Sequence, residues 1–147
     1  MSAERKTPRR RNATTPHRRP EALTWPDASW RWAADGALVL TLPVPGSANR
    51  IWRMGKGRTY KAKSAKEYTE GAVWSLHGCP KLLGEVSVDI TWFTARRSDL
   101  DNRIKLLLDA LKHVAFGDDA DVCELHARRT LTTDLAPCVV VSIRRDA

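Results

Sequence analysis

Asp99 and Asp101 stand one residue apart in Arg96-Arg97-Ser98-Asp99-Leu100-Asp101-Asn102-Arg103-Ile104-Lys105, and a second acidic run, Gly117-Asp118-Asp119-Ala120-Asp121, follows soon after. Crowded carboxylates repel one another unless something positive lies between them. A divalent metal ion is the usual occupant, and carboxylate oxygens are the hard ligands that magnesium takes. Lys105 is four residues beyond Asp101 and shares its face if the segment is helical. The same residues also fit a purely structural reading. Ser98-x-x-Asp101 can serve as a capping box, acids at a helix start offset the macrodipole, and Asp101 with Lys105 can form an ordinary i,i+4 pair.

The surrounding pattern says how these side chains would be held. Val86, Val88, Ile90 and Trp92 alternate, which predicts a half-buried strand over 83–95. From Leu100 the apolar residues Ile104, Leu107, Leu108, Leu111 and Ala115 recur every three or four positions, which predicts a helix over 100–114. Asp99 and Asp101 therefore fall at a strand-to-helix junction, where two side chains at i and i+2 can converge. Upstream, Trp30 and Trp32 alternate before Asp35-Gly36 and the apolar run 37–42, the signature of a hairpin with an Asp-Gly turn. Ser64 and Glu67 look like a capping box opening a helix that buries Tyr68, Ala72 and Leu76 and stops at Gly78, with Val73 and Trp74 widening its apolar face. Residues 122–129 and 138–143 read as two further strands, with Val139, Val141 and Ile143 on one face. The order β(β)-α-β-α-β-β predicts an α+β domain of two layers, a mixed sheet packed with two main helices.

Length and charge narrow the class. The chain has 147 residues, 42% of them hydrophobic, enough for one core. Of its net charge of +8, residues 1–20 supply +6 from seven Lys or Arg against one Glu, which leaves +2 for the rest. A basic, Pro- and Thr-rich stretch over 1–24, expected to be disordered in isolation, precedes a nearly balanced domain over 25–147, and suggests a polyanionic partner. It fits a solvated tail equally. Between 49 and 61, Asn49, Arg50, Arg53, Lys56, Arg58 and Lys61 interleave with aromatic residues and two glycines, a composition suited to phosphate contact and base stacking. Arg96 and Arg97 add cations beside the acids. There is no membrane-length apolar run and no signal-peptide pattern, so a cytoplasmic protein is expected. Cys79, Cys123 and Cys138 show no metal-ligand spacing and read as buried small hydrophobes.

Taken together, Leu40-Thr41-Leu42-Pro43-x-Pro45-x-Ser47-x-Asn49-Arg50, Gly57-Arg58-Thr59, Arg97-x-Asp99-Leu100-Asp101-Asn102-x-x-Lys105, Asp109-Ala110-Leu111 and Asp118-Asp119-Ala120-x-Val122 resemble the RusA family of Holliday-junction resolvases. The resemblance runs from about Leu40 to Ile143. It implies a homodimeric, magnesium-dependent endonuclease, with manganese a possible substitute, that cuts four-way DNA junctions by paired nicks in a bacterial cell or phage-infected host. On this resemblance the acidic triad falls on Asp99, Asp101 and Asp119, with Asp118 an alternative to the last, and the essential lysine on Lys105. The metal would activate a water and neutralise the leaving oxygen, and Lys105 would hold the scissile phosphate or balance the acidic site. Two other readings remain open: a broader flap or fork nuclease, and a DNA-binding accessory module without catalysis.

One geometric tension follows. As helix, residues 101–114 advance about 20 Å, whereas the five residues from Ala115 to Asp119 can retrace about 17 Å at most. Either the helix ends early, near His113, or Asp119 serves the partner's site in a dimer.

Overall fold

The computed structural model describes residues 23–45, 52–55, 58–61, 63–97 and 100–146. Its main sheet has five strands in the order β1-β2-β7-β5-β6, where β1 is Ser29–Trp32, β2 Leu38–Leu42, β5 Val86–Thr94, β6 Val122–Leu131 and β7 Cys138–Arg145. A separate two-stranded hairpin pairs β3, Trp52–Gly55, with β4, Arg58–Lys61. Helix α1 covers Lys63–Ser75 and α2 covers Asp101–Leu111. The fold is α+β with a mixed sheet and two main helices: β5 and β6 are parallel, and every other neighbouring pair in the sheet is antiparallel.

Alternation in the sequence becomes alternation in burial. Val86, Val88, Ile90, Trp92 and Thr94 on β5 are buried, as are Val139, Val141 and Ile143 on β7 and Leu38, Leu40 and Leu42 on β2. These residues point to one face of the sheet, and α1 and α2, in contact with each other, cover it. From α1 come Ala65, Tyr68, Ala72 and Leu76, and from α2 Leu106, Leu107, Ala110 and Leu111. Each fully buried large apolar side chain contributes about 1.5–3 kcal/mol.

The Asp-Gly hairpin forms as expected. Gly36 sits at φ +85° between β1 and β2, and the Ala37 N–H donates to Asp35 Oδ1 at 3.1 Å. The segment before β1 is held to the body as well. The Leu23 N–H donates to the Pro137 carbonyl at 3.1 Å, and Trp25 meets Tyr68 edge-on at 4.8 Å between ring centroids.

Three expectations need correction. Trp74 is 80% exposed and Val73 43%, so neither belongs to the core. Trp74 lies two residues past the buried Ala72, about 200° around the helix. Helix α1 begins at Lys63, which puts Ser64 inside the helix and not at its cap. Cys123 is exposed because β6 is the edge strand, while Cys79 and Cys138 are half-buried. Burial lifts the Cys79 thiol to about 11.

Candidate active site

The β5–α2–β6 unit fixes where the acids stand. In a parallel pair joined by a helix, the helix starts beyond the end of the first strand and returns to the start of the second. Here β5 ends at Thr94 and α2 starts at Asp101, whereas Val122, which opens β6, pairs with Val86 at the opposite end of β5. The two acidic clusters accordingly lie at opposite ends of α2.

At the head of α2, Asp101 and Lys105 are exposed on one face, and among the described residues neither forms an ion pair. The simple i,i+4 pair is therefore not made, and both side chains are free to face a ligand. Leu100 occupies the N-cap position with no side-chain cap bond. Asp99 and Ser98 lie outside the described residues, as do Asn49, Arg50 and Lys56. For Arg53, Arg58 and Lys61 the backbone alone is described, and it places them on the β3–β4 hairpin.

Beside that head, the turn after β5 and the loop before β7 enclose a cavity of about 510 Å³ lined by Arg96, Arg97 and Arg103 together with Val44, Leu135 and Pro137. Its walls are tied to one another: Thr94 Oγ1 donates to the Arg96 carbonyl at 3.0 Å, and the Thr132 N–H donates to the Thr94 carbonyl at 2.9 Å. Three guanidinium groups around one opening attract phosphate.

At the foot of α2, Asp118 and Asp119 differ in what they do. Asp118 caps a 3-10 turn over Asp119–Asp121: its Oδ1 accepts from the Ala120 N–H at 3.2 Å, and its own N–H donates to Asp121 Oδ2 at 3.1 Å. Asp119 instead stands near Asp109 at the end of α2, close enough for the two carboxylates to interact, and Asp109 lies 3.8 Å from Lys112 Nζ. Burial, then the neighbouring carboxylates of Asp109 and Asp118, hold the Asp119 carboxyl above its ordinary range, and Lys112 opposes them. Negative charge concentrated in this way is what a bound cation relieves, and the all-carboxylate donor set suits magnesium. Asp109 is the site residue that sequence reasoning left without a role. Its i+8 spacing from Asp101 was visible, but its contact with Asp119 depends on the turn through 112–118.

Helix α2 does end early, at Leu111, and the turn after it returns Asp119 only as far as Asp109. Asp109 is eight residues from Asp101, about 12 Å of helix rise.

Among the described residues, the three metal-capable groups that do converge are Glu85, Cys123 and Asp146, exposed beside the start of β5. There Cys123 Sγ lies 3.4 Å from the Val86 carbonyl and 3.4 Å from Asp146 Oδ2. Desolvation and the two carboxylates keep its thiol protonated, as a hydrogen-bond donor should be.

The family model described as Endodeoxyribonuclease RusA matches residues 42–144, a span that holds both ends of α2 and most of the main sheet. Among individual proteins, the crossover junction endodeoxyribonuclease rusA of Enterobacteria phage 82 is 32% identical over 91 residues, 58% of this chain and 76% of that protein. The crossover junction endodeoxyribonuclease RusA of Escherichia coli (strain K12) is 31% identical with the same coverage. So is that of Shigella sonnei (strain Ss046), again 31% over 91 residues.

Proposed function

The chain belongs to the RusA family of endodeoxyribonucleases, and on that premise we propose that it resolves four-way DNA junctions by magnesium-dependent hydrolysis of one phosphodiester in each of two strands. The observation that carries this reading is the family match coinciding with an exposed Asp101–Lys105 face at the head of α2.

Asp99, Asp101 and Asp119 are assigned as metal ligands. Magnesium, with manganese as substitute, would supply an activated water near neutral pH and neutralise charge on the leaving 3'-oxygen. Lys105 acts as a fixed cation on the scissile phosphate, and it favours the transition state because the phosphate gains negative charge there. Arg96 and Arg97, with Asn49, Arg50, Arg53, Lys56, Arg58 and Lys61, bind the DNA backbone. These contacts set register and orientation and carry little base information, so choice of a junction over linear duplex rests on shape. Residues 1–24 add a basic tail to the domain that follows. A homodimer suits the substrate, because two-fold related sites meet two-fold related strands. Among the described residues no helix is long and apolar enough to cross a membrane. Work on DNA places the enzyme in the cytoplasm of a bacterium or phage-infected host.

The test uses purified protein with a synthetic four-way junction, a fork and a linear duplex, each with magnesium or chelator. Symmetric nicks confined to the junction and abolished by chelator are expected. Equal cutting of forks favours the broader nuclease, and binding without cutting favours an accessory module. Asp101→Asn should lower cleavage by about 100- to 1,000-fold, on the scale of losing a principal transition-state group, while junction binding persists. Collapse of binding together with cleavage would return Asp101 to a structural role.

A further inference from the structure

The cavity at the head of α2 carries chemistry that the Asp101–Lys105 face does not use. Arg103, which lines it, is two residues beyond Asp101 and so about 200° around the helix, whereas Lys105 is only about 40° from Asp101. Cavity and hydrolytic face therefore flank the same turn of α2, separated by about the 10–12 Å width of a helix. Arg96, Arg97 and Arg103 bring three guanidinium groups to the cavity, and among the described residues no acidic side chain lines it. The first turn of α2 adds the positive end of that helix, where Leu100 makes no side-chain cap bond. Val44, Leu135 and Pro137 make the rest of the wall largely apolar. At about 510 Å³ the space falls within the range of ~300–1,000 Å³ that encloses a whole small molecule, and a phosphate group alone would leave the apolar wall unused.

Hydrolysis beside Asp101 and Lys105 creates a ligand of that description. The water oxygen bonds to phosphorus and the bond from phosphorus to the 3'-oxygen breaks. The electron pair leaves with that oxygen, which takes up a proton to become a 3'-hydroxyl. The other fragment keeps a terminal 5'-phosphate. An internal phosphodiester carries one negative charge, but a terminal phosphate monoester carries about −1.5 to −2 near pH 7 and presents three free oxygens. Clustered guanidinium groups favour the higher charge and match those oxygens two at a time. An uncut strand must run on past the opening, whereas a cut end can turn into it.

We propose that this cavity binds the 5'-phosphorylated end of a nicked DNA strand, with the phosphate on Arg96, Arg97 and Arg103 and the first sugar and base against Val44, Leu135 and Pro137. The proposal rests on the nuclease reading for the origin of the end, and it adds a consequence. By holding the first product end, the protein stays on the junction until the second strand is cut.

Binding to the full chain in chelator, where no strand is cut, tests the site itself. Short single-stranded oligonucleotides carrying a 5'-phosphate, a 3'-phosphate or two hydroxyl ends are compared by fluorescence anisotropy. The two phosphorylated strands have equal charge, so general attraction holds them equally. The 5'-phosphate should bind at least about tenfold more tightly than the 3'-phosphate, the scale of one further charge-assisted hydrogen bond. Equal binding overturns the proposal. Leu135→Trp, at a position 53% exposed, fills the apolar wall without changing charge, and Arg103→Gln removes one guanidinium. Each should erase the preference while circular dichroism and melting stay as in wild type. A preference that survives both substitutions puts the end elsewhere and overturns the assignment. A deoxynucleoside 5'-monophosphate should displace the 5'-phosphorylated strand at lower concentration than inorganic phosphate does, and equal potency would mean a bare phosphate site and no nucleotide site. With magnesium and a four-way junction, Leu135→Trp should leave a larger share of junctions cut in one strand only. An unchanged share overturns the holding role. A protein that distinguishes the ends but cuts no junction would sink the resolvase reading and leave the cavity assignment standing.

Discussion

Asp35 performs two tasks in one turn. It accepts the Ala37 N–H that closes the β1–β2 hairpin, and it pairs with the Arg144 guanidinium on β7. The Ala37 hydrogen bond, then Arg144, hold its carboxyl below the ordinary range. A carboxylate whose folded pKa is depressed stabilises the fold above its unfolded pKa of about 3.9 and loses that contribution as pH falls through the folded value. Asp35→Asn should therefore melt below wild type at pH 7, and the gap should close as the pH is lowered past that range. Melting curves by circular dichroism across pH check this, and a gap that stays constant would mean the carboxylate charge contributes nothing. Individual residues were unevenly legible in the sequence. Asp101 and Lys105 share an exposed face because a four-residue spacing can do little else on a helix. The difference between Asp118 and Asp119 was not legible, since one caps a 3-10 turn and its neighbour points away only once that turn has formed. Cys123 reads as an apolar strand residue until the strand order puts β6 at the edge.

Helix α1 shows the same division between pattern and packing. Gly71 looks like a weak point, about 1 kcal/mol poorer than alanine in a helix interior. In the structure a Cβ there would run into the indole of Trp25, which is held on α1 by its edge contact with Tyr68, while Tyr68 Oη donates to the Pro43 carbonyl at 2.8 Å. Gly71→Ala is expected to destabilise by about 1–3 kcal/mol, the usual cost of forcing extra volume into a packed site. In a Trp25→Ala background the same substitution should stabilise. Urea denaturation of the four proteins completes the cycle, and stabilisation by Gly71→Ala alone would show that Trp25 yields without cost. Strands β5 and β7 and helix α2 were readable because burial on one side imprints a period on the sequence. The β3–β4 hairpin was not, because its basic, glycine-containing stretch has the composition of a solvated loop. The two strands are recognisable only once they are paired, Gly55 opposite Arg58 and Trp52 opposite Lys61.

Across the whole molecule, most of the net positive charge is separated in sequence from the residues proposed to be catalytic. Most of the net +8 lies in the first twenty residues, far in sequence from either acidic cluster. Deleting residues 1–20 should weaken junction binding and flatten the dependence of log K on log salt by about 0.9 for each phosphate no longer neutralised, with preference for the junction unchanged. Binding measured from low to high salt decides this, and an unaltered slope would reduce the segment to a spacer. The overall class of fold was legible because two helical and several strand periods in this order leave few arrangements. Strand order was not, because hydrophobic alternation records which side of a strand is covered and says nothing about its neighbours. That order has a consequence for biosynthesis. Strand β7, the last in sequence, lies between β2 and β5 and joins what are otherwise two separate pieces of sheet. A nascent chain on the ribosome therefore cannot assemble its core in stages from the N-terminus. Until residue 145 has emerged, the edges of β2 and β5 remain open and sticky, and the chain depends on chaperones or on rapid completion of synthesis to avoid pairing with the wrong strand.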